Sequence, residues 1–251
     1  MSGKSNRENI VAVIAGRMNS SRMYGKTMAL LCRIPSLEHI IKRLQFCKLI
    51  DEIVVATTES VHDDPIRECA QKLNIQSFSG SEEDVLDRTV KAAKYAASDQ
   101  VVIINGDSPI IDPEVVDYVI NIYLNARPDY ASNTWCESWP VGTEVEICHL
   151  SILDYINTNS DDPAHHEHVT LGIHQNRNKY KLIDIIAPEH QRWPELRLTL
   201  DTREDYQLIS LIYDALYPGN PMFGIDEIIN FVKKNPHIIK INQSIKQKEV
   251  K

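Results

Sequence analysis

No Cys-x-x-Cys pair occurs in this 251-residue sequence, and its five cysteines, Cys32, Cys47, Cys69, Cys136 and Cys148, are odd in number. Both facts argue against a disulfide framework and against a cysteine-built zinc site. No run approaches 18 apolar residues, and the polar segment 1–9 holds no apolar leader core. A soluble protein of a reducing, cytoplasmic compartment is expected, with no membrane as partner. Positive charge is in deficit: 27 Lys and Arg against 35 Asp and Glu give a net charge of −8, which disfavours nucleic acid as a partner. Internal repeats, low-complexity blocks and Gly/Ser-rich linkers are also missing. What remains is ordinary globular composition, with 43% hydrophobic and 25% charged residues, so a packed chain rather than a disordered one is expected. At this length roughly 70–75% of the unfolded surface is buried without staples.

Short apolar runs alternate with helical periodicity through the first 125 residues. Residues 10–15 (IVAVIA), 52–57 (EIVVAT), 75–78 and 100–105 (QVVIIN) read as strands, the longer ones buried on both faces. Between them the spacing predicts helices: one capped by Ser36 and running to Cys47, one from 63–65 to 73–74, and one after Ser81 with acidic residues in its first turn. A fourth opens at Asp112-Pro113. Four strand–helix units imply right-handed crossovers. The expected fold is a Rossmann-like α/β domain: a mostly parallel sheet with helices on both faces and a smaller, irregular subdomain. The second half is less regular. Strands are expected at 143–148, 181–186 and 196–200, and helices at 151–159, 164–175, 202–216 and 225–234, before a frayed polar tail from Asn242. The whole reads as a single domain, 1–251. It divides into a nucleotide-binding half (1–128), an acceptor and dimer half (129–201), C-terminal helices (202–240) and a tail (241–251).

Ligands of such sheets bind beyond the carboxyl ends of the strands, and three segments there carry chemistry. After the first strand the chain reads Gly16-Arg17-Met18-Asn19-Ser20-Ser21-Arg22-Met23-Tyr24-Gly25-Lys26. Its three cations suit a polyphosphate, and its glycines let backbone N–H groups approach one. It is neither a Walker A loop nor a Gly-x-Gly-x-x-Gly turn. A solvated basic loop is the plainer alternative. Asp107, at the tip of the 100–105 strand, is a candidate Mg²⁺ ligand, because Mg²⁺ takes one or two carboxylates plus phosphate oxygens; the alternative is a turn residue. Asp201 is a candidate second ligand, with the cap of the next helix as the alternative.

These segments resemble the SpsF-type cytidylyltransferases, relatives of the enzymes that activate acylneuraminate and 3-deoxy-manno-octulosonate. IAGRMNSSRMYGK is similar to the signature I-Q-A-R-M-x-S-[ST]-R-L-P-G-K. FSGSEEDVLDR is similar to F-x-G-S-x-x-D-V-L-x-R, and NGDSPIIDP to G-D-C-P-L-I-D-P. ASNT, EHVT, LTLDTREDYQLI and FGIDEIINFVKKNP follow in family order. The resemblance implies a nucleotide-diphospho-sugar transferase fold and the reaction CTP + acidic 2-keto-3-deoxy sugar → CMP-sugar + pyrophosphate, for surface polysaccharide synthesis. It implies that Ala15, Gly16, Arg17, Ser20, Arg22 and Lys26 meet the triphosphate. By the same resemblance Gly80, Ser81, Asp84 and Arg88, with Ser79 and Asp87, lie near base and ribose. Asp107 and Asp201 hold Mg²⁺ or Mn²⁺, with Arg17, Lys26 and Asp107 the catalytic set. Acceptor contacts fall to Thr143, Glu144, Glu167 and His168, in a homodimer. Departures are Ala15-Gly16 for Gln-Ala, Met23-Tyr24 for Leu-Pro, and VGTEVE at 141–146 for D-G-L-D-V-E. A sugar 1-phosphate as acceptor, or a non-catalytic nucleotide-binding relative, stand as alternatives.

The cluster His165-His166-Glu167-His168 does not place three ligands on one helical face, since only His165 and His168 are helical neighbours. Acceptor binding or helix packing is expected there rather than zinc, with His166 and His168 the residues to test. Trp135, Trp139 and Trp193 are expected in the core or a dimer contact.

Overall fold

The computed structural model describes residues 8–246. The chain opens with β1 (Ile10–Ala15), the basic loop, a short hairpin of β2 (Leu30–Leu31) and β3 (Ile34–Pro35), and α1 (Ser36–Leu44). Then come β4 (Glu52–Thr58), α2 (Asp64–Lys72), β5 (Gln76–Gly80), α3 (Val85–Tyr95), β6 (Gln100–Asn105) and α4 (Pro113–Ala126). The second half adds β7 (Tyr130–Ser132), β8 (Glu146–His149), α5 (Leu150–Asn159), α6 (Pro163–Glu167), α7 (Leu171–His174), β9 (Leu182–Asp184), α8 (Arg203–Leu216) and α9 (Ile225–Lys234). Seven strands form one sheet in the order β5-β4-β1-β6-β8-β7-β9. The first four are parallel, β8 runs antiparallel to both β6 and β7, and β9 runs parallel to β7. The expected mostly parallel α/β fold is what the chain adopts.

The continuous apolar strands are explained by two cores. Ile10, Ala12 and Ile14 of β1 face one cluster with α1, α2, α4, α8 and α9, while Val11 and Val13 face the other with α3, α5 and α7. Strands β4 and β6 divide their residues the same way. A strand covered on both faces has no polar side to show, so its sequence does not alternate. Each fully buried Val or Ile contributes roughly 1.5–3 kcal/mol, and Ile14→Ala would cost about 2–5 kcal/mol by leaving a cavity.

The chain leaves β1 for β4 on one side and returns through β5 to β6 on the other. The loops after β1 and β6 therefore diverge at the switch point, which opens the ligand crevice of such sheets. Gly106 closes the floor there. Its N–H donates to the Ala15 carbonyl at 2.8 Å, and a Cβ at 106 would lie 2.6 Å from that oxygen, so the two strand ends approach this closely because 106 is glycine.

Several expectations are corrected. Ser36 is the first helical residue rather than the cap, which is Pro35 without a side-chain bond. The helix expected directly after Ser81 begins at Val85, capped by Asp84, which accepts from the Asp87 N–H, so Glu82 and Glu83 lie in the preceding loop. The helix expected over 164–175 is two short helices, broken where His168 is extended. The strand expected at 143–148 is shorter, Glu146–His149. Residues 196–200 form no strand: Leu198 donates to the Val141 carbonyl and Leu200 to the Asp107 carbonyl, leaving one bridge, Val141 to Arg197. The tail is not frayed at its start, for Asn242 is buried and donates to the Arg197 carbonyl and the Asp205 carboxylate.

Candidate active site

At the switch point lies a cleft of about 460 Å³. The loop after β1 reaches it through a chain of backbone anchors. Asp63 accepts from the Met18 N–H and from Thr57 and Thr58, and Gly25, at φ +72°, donates to the Met18 carbonyl. The turn beginning at Lys26 then carries that side chain inward. Its ammonium stands 2.5 Å from Asp107 Oδ2 and 2.6 Å from Asp201 Oδ1. Arg22 and Arg197 hold the other oxygen of Asp201 at 2.9 and 3.0 Å. Two segments expected to meet from sequence, after β6 and before α8, are thus joined by one lysine.

The electrostatics follow from that geometry. Burial alone would lower the Lys26 pKa, but the carboxylates of Asp107 and Asp201 outweigh it and raise it. For Asp107 burial wins, raising its pKa against the pull of Lys26. Asp201 is held below the ordinary carboxylate range: burial opposes this, and Lys26, Arg22 and Arg197 override it. Asp201 is not the helix cap. Thr202 caps α8 in a capping box with Asp205, which leaves the Asp201 carboxylate to the cleft.

Sequence reasoning missed Arg197 and Asp205. Arg197 spans Asp201 and Asp205, donating Nε to Asp205 Oδ1 at 2.9 Å. Asn242 closes the junction from the C-terminal side. A signal existed in Thr202-Arg203-Glu204-Asp205, a capping-box pattern that assigns the cap to Thr202 and frees Asp201.

The expected nucleotide residues divide. Ala15, Gly16, Arg17, Ser20, Arg22, Lys26 and Arg88 line the cleft, with Asp107 and Asp201. Gly80, Ser81 and Asp84 do not. Ser81 positions Arg88 by accepting from its guanidinium through the main-chain carbonyl, and Asp84 is occupied by the α3 cap and by His166. Arg88 is buried, its Nε has no partner among the described residues, and burial together with nearby Arg17 lowers its pKa. Arg17 donates to the Glu82 carbonyl at 2.8 Å.

On the other side of the crevice Glu144, Glu167 and His168 line the wall, as do Glu146, Trp135 and Thr170, which were not expected. Thr143, expected as an acceptor contact, is fully buried behind the wall and donates to the Pro140 carbonyl. Both oxygens of Glu144 lie 2.9 Å from the Gly142 nitrogen, and burial pushes its pKa up to about 7. Glu146 accepts from Thr170 at 2.6 Å and from the Tyr130 hydroxyl. Burial raises its pKa, with those two donors opposing. Glu146 could have been found from its alternation with Glu144, since residues i and i+2 of a strand share a face.

The three histidines point apart. His165 bonds Ser160 and Gln175, His166 bonds Asp84 and the Ser160 carbonyl, and His168 faces the cleft. Among the described residues no group of three or more His, Cys, Asp or Glu side chains could hold a metal ion. The pair Asp107 and Asp201 does fit Mg²⁺ or Mn²⁺. One ammonium touches both carboxylates, so an ion in its place would too, and such an ion draws its other ligands from phosphate and water.

A mostly parallel sheet with a basic loop and paired carboxylates at its switch point suits a nucleotidyltransferase. A family model described as Cytidylyltransferase matches residues 11–242, and the chain belongs to that family: it is a CTP-dependent nucleotidyltransferase. It is 31% identical over 233 residues to the spore coat polysaccharide biosynthesis protein SpsF of Bacillus subtilis, covering 91% of this chain and 95% of that one. A cytidylyltransferase structure from Leptospira borgpetersenii superposes with a TM-score of 0.88 at 29% identity, covering 97% of this chain and all of that one. The 3-deoxy-manno-octulosonate cytidylyltransferase of Geobacter sulfurreducens is 31% identical over 114 residues, 45% of this chain and 44% of that protein.

Proposed function

We propose that the protein transfers CMP from CTP to the anomeric hydroxyl of an acidic 2-keto-3-deoxy sugar, releasing pyrophosphate for surface glycan synthesis. The observation that carries this reading is the Lys26–Asp107–Asp201 cluster beside Arg17 and Arg22. Asp107 and Asp201 hold Mg²⁺ or Mn²⁺, which neutralises phosphate charge and polarises the α-phosphoryl group when bound. The sugar hydroxyl attacks the α-phosphorus and gives up its proton to water, the bond to the bridging oxygen breaks, and Arg17, Arg22 and Lys26 neutralise the departing pyrophosphate. In a 2-keto acid the carboxylate sits on the carbon that bears the attacking hydroxyl, so it enters beside these cations. The tail of the sugar then lies along Glu144, Glu146, Thr170 and His168, where hydroxyl groups find acceptors. The likeness to an octulosonate enzyme over less than half the chain supports this acceptor class.

The test is pyrophosphate release with each of four nucleoside triphosphates against a panel of sugar acids and sugar 1-phosphates. CTP with a sugar acid is the expected pair, and turnover confined to sugar phosphates would move the acceptor class. In solution a cytoplasmic homodimer is the expected state. The exposed Tyr155 and Ile186 of the second half support a contact there, and sedimentation of the intact chain tests it.

A further inference from the structure

The ammonium of Lys26 stands where the two carboxylates would share a metal ion. It contacts Asp107 and Asp201 at 2.5 and 2.6 Å, with 15% of its side chain exposed. Arg22 and Arg197 are placed differently. Both contact Oδ2 of Asp201, the oxygen that Lys26 leaves free. A divalent ion and an ammonium cannot both fill the space between the same two carboxylates, since at contact distance like charges repel strongly in a partly buried site.

We propose that the site takes its divalent cation as the metal–nucleotide complex rather than as the free ion, because Lys26 holds the place between Asp107 and Asp201 until a triphosphate draws it away. The proposal rests on reading those two carboxylates as the metal pair. Two features make the exchange physically reasonable. The lysine stem is four flexible carbons ending in a compact point charge, and it springs from the turn just after Gly25. It can thus change partner while the backbone stays anchored through Met18 and Asp63. An incoming triphosphate supplies the new partner, with Arg17 and Arg22 already on the same loop. Free metal arriving alone brings no anion to receive the displaced ammonium, so it must break two close ion pairs without replacement. The arrangement keeps the carboxylates compensated before substrate arrives and makes metal and nucleotide enter together.

Mn²⁺ binding to the intact protein, followed by electron paramagnetic resonance of the free ion, tests this without turnover. With a non-reactive α,β-methylene analogue of CTP present, the wild-type protein should bind Mn²⁺ about ten-fold or more tighter than without it, beyond what the analogue chelates in a protein-free control. Without nucleotide, Lys26→Met should bind Mn²⁺ about ten-fold or more tighter than wild type, and Arg22→Met should gain less. Adding Asp107→Asn to Lys26→Met should abolish the gain, which identifies the site. The thermal midpoint provides a second readout: Mn²⁺ alone should raise that of Lys26→Met more than that of wild type. Equal nucleotide-free affinity in wild type and Lys26→Met, with no difference in midpoint shift, overturns the proposal. Failure of every form to bind Mn²⁺ even with the CTP analogue strikes instead at the metal pair itself.

Discussion

Strands β1, β4, β5 and β6 have five to seven residues each and run parallel, whereas β7, β8 and β9 have three or four and mix directions. Within the first set β1, β4 and β6 are held by continuous apolar burial on both faces, and β5 is the polar, partly exposed edge. The second is held by particular polar bonds, such as Asn133 to the Thr143 carbonyl and Val145 N–H, and Glu146 to Tyr130 and Thr170. The division matches the two ends of the cleft. Its cations come from the loop after β1 and from α3, and the wall proposed to meet the acceptor comes from the irregular half. A rigid platform suits phosphate neutralisation, which every nucleotide asks for, while short strands and turns can vary with the acceptor.

The sharpest way to break this division is through the charged cluster. Lys26→Ala and Asp107→Asn should each cut turnover by about 10²–10³-fold, roughly 3–4 kcal/mol in the barrier, measured on variants whose fold is confirmed by circular dichroism. Near-normal pyrophosphate release in either variant would remove the platform's catalytic role.

Next in size is the backbone of the second half. Gly142 has φ +100°, and a Cβ there would fall 2.4 Å from the Thr199 nitrogen. Gly142→Ala should cost about 2–3 kcal/mol of stability, read as a lowered urea midpoint. An unchanged midpoint would mean that this junction is softer than its contacts imply.

A smaller effect separates the two ends functionally. Glu146→Gln and His168→Ala should raise the acceptor KM about ten-fold, roughly 1.4 kcal/mol, with the CTP KM within two-fold or so of wild type. A defect confined to CTP would erase the assignment of that wall.

The smallest effect compares the halves by pH. His39 of α1 and His174 of α7 are buried, and desolvation pushes each down to about 4. The unfolded chain takes up these protons near pH 6.5. Their contribution is therefore complete above about 6.5 and is lost as pH falls toward 4. Each adds at most about 1.4 kcal/mol per pH unit to the slope in this window. His39→Gln and His174→Gln should each flatten the slope of stability against pH in this window, and a slope unchanged in both variants would refute it.

The platform was readable because burial on two faces writes itself as unbroken apolar runs: β1 and β6 fall on the predicted residues, and β4 extends one residue further. The loop carrying Arg17, Arg22 and Lys26 followed from its position at a strand end. What escaped has local causes. The third helix starts three residues later than expected because Asp84 caps it. The helix through the histidines breaks where Thr170 donates to Glu146, a contact between residues 24 apart that no periodicity reports. Arg197 looked like part of a strand because its neighbours Leu196, Leu198 and Leu200 are apolar and fully buried. Their partners are loops, and the arginine serves two carboxylates.

Trp135 lies flat against His174, ring centroids 3.7 Å apart, with its indole N–H on the Tyr130 hydroxyl and its edge in the cleft. Trp139 is buried on the Ile185 carbonyl, and neither it nor Trp193 lines the cleft. One indole in three therefore senses the acceptor wall. The molecule carries its own optical reporter: on the proposed reading, a sugar settling on that wall should change the water and the ring partner that Trp135 sees, and with them its emission. Occupancy can be followed by light without a label, and Trp135→Phe supplies the dark control.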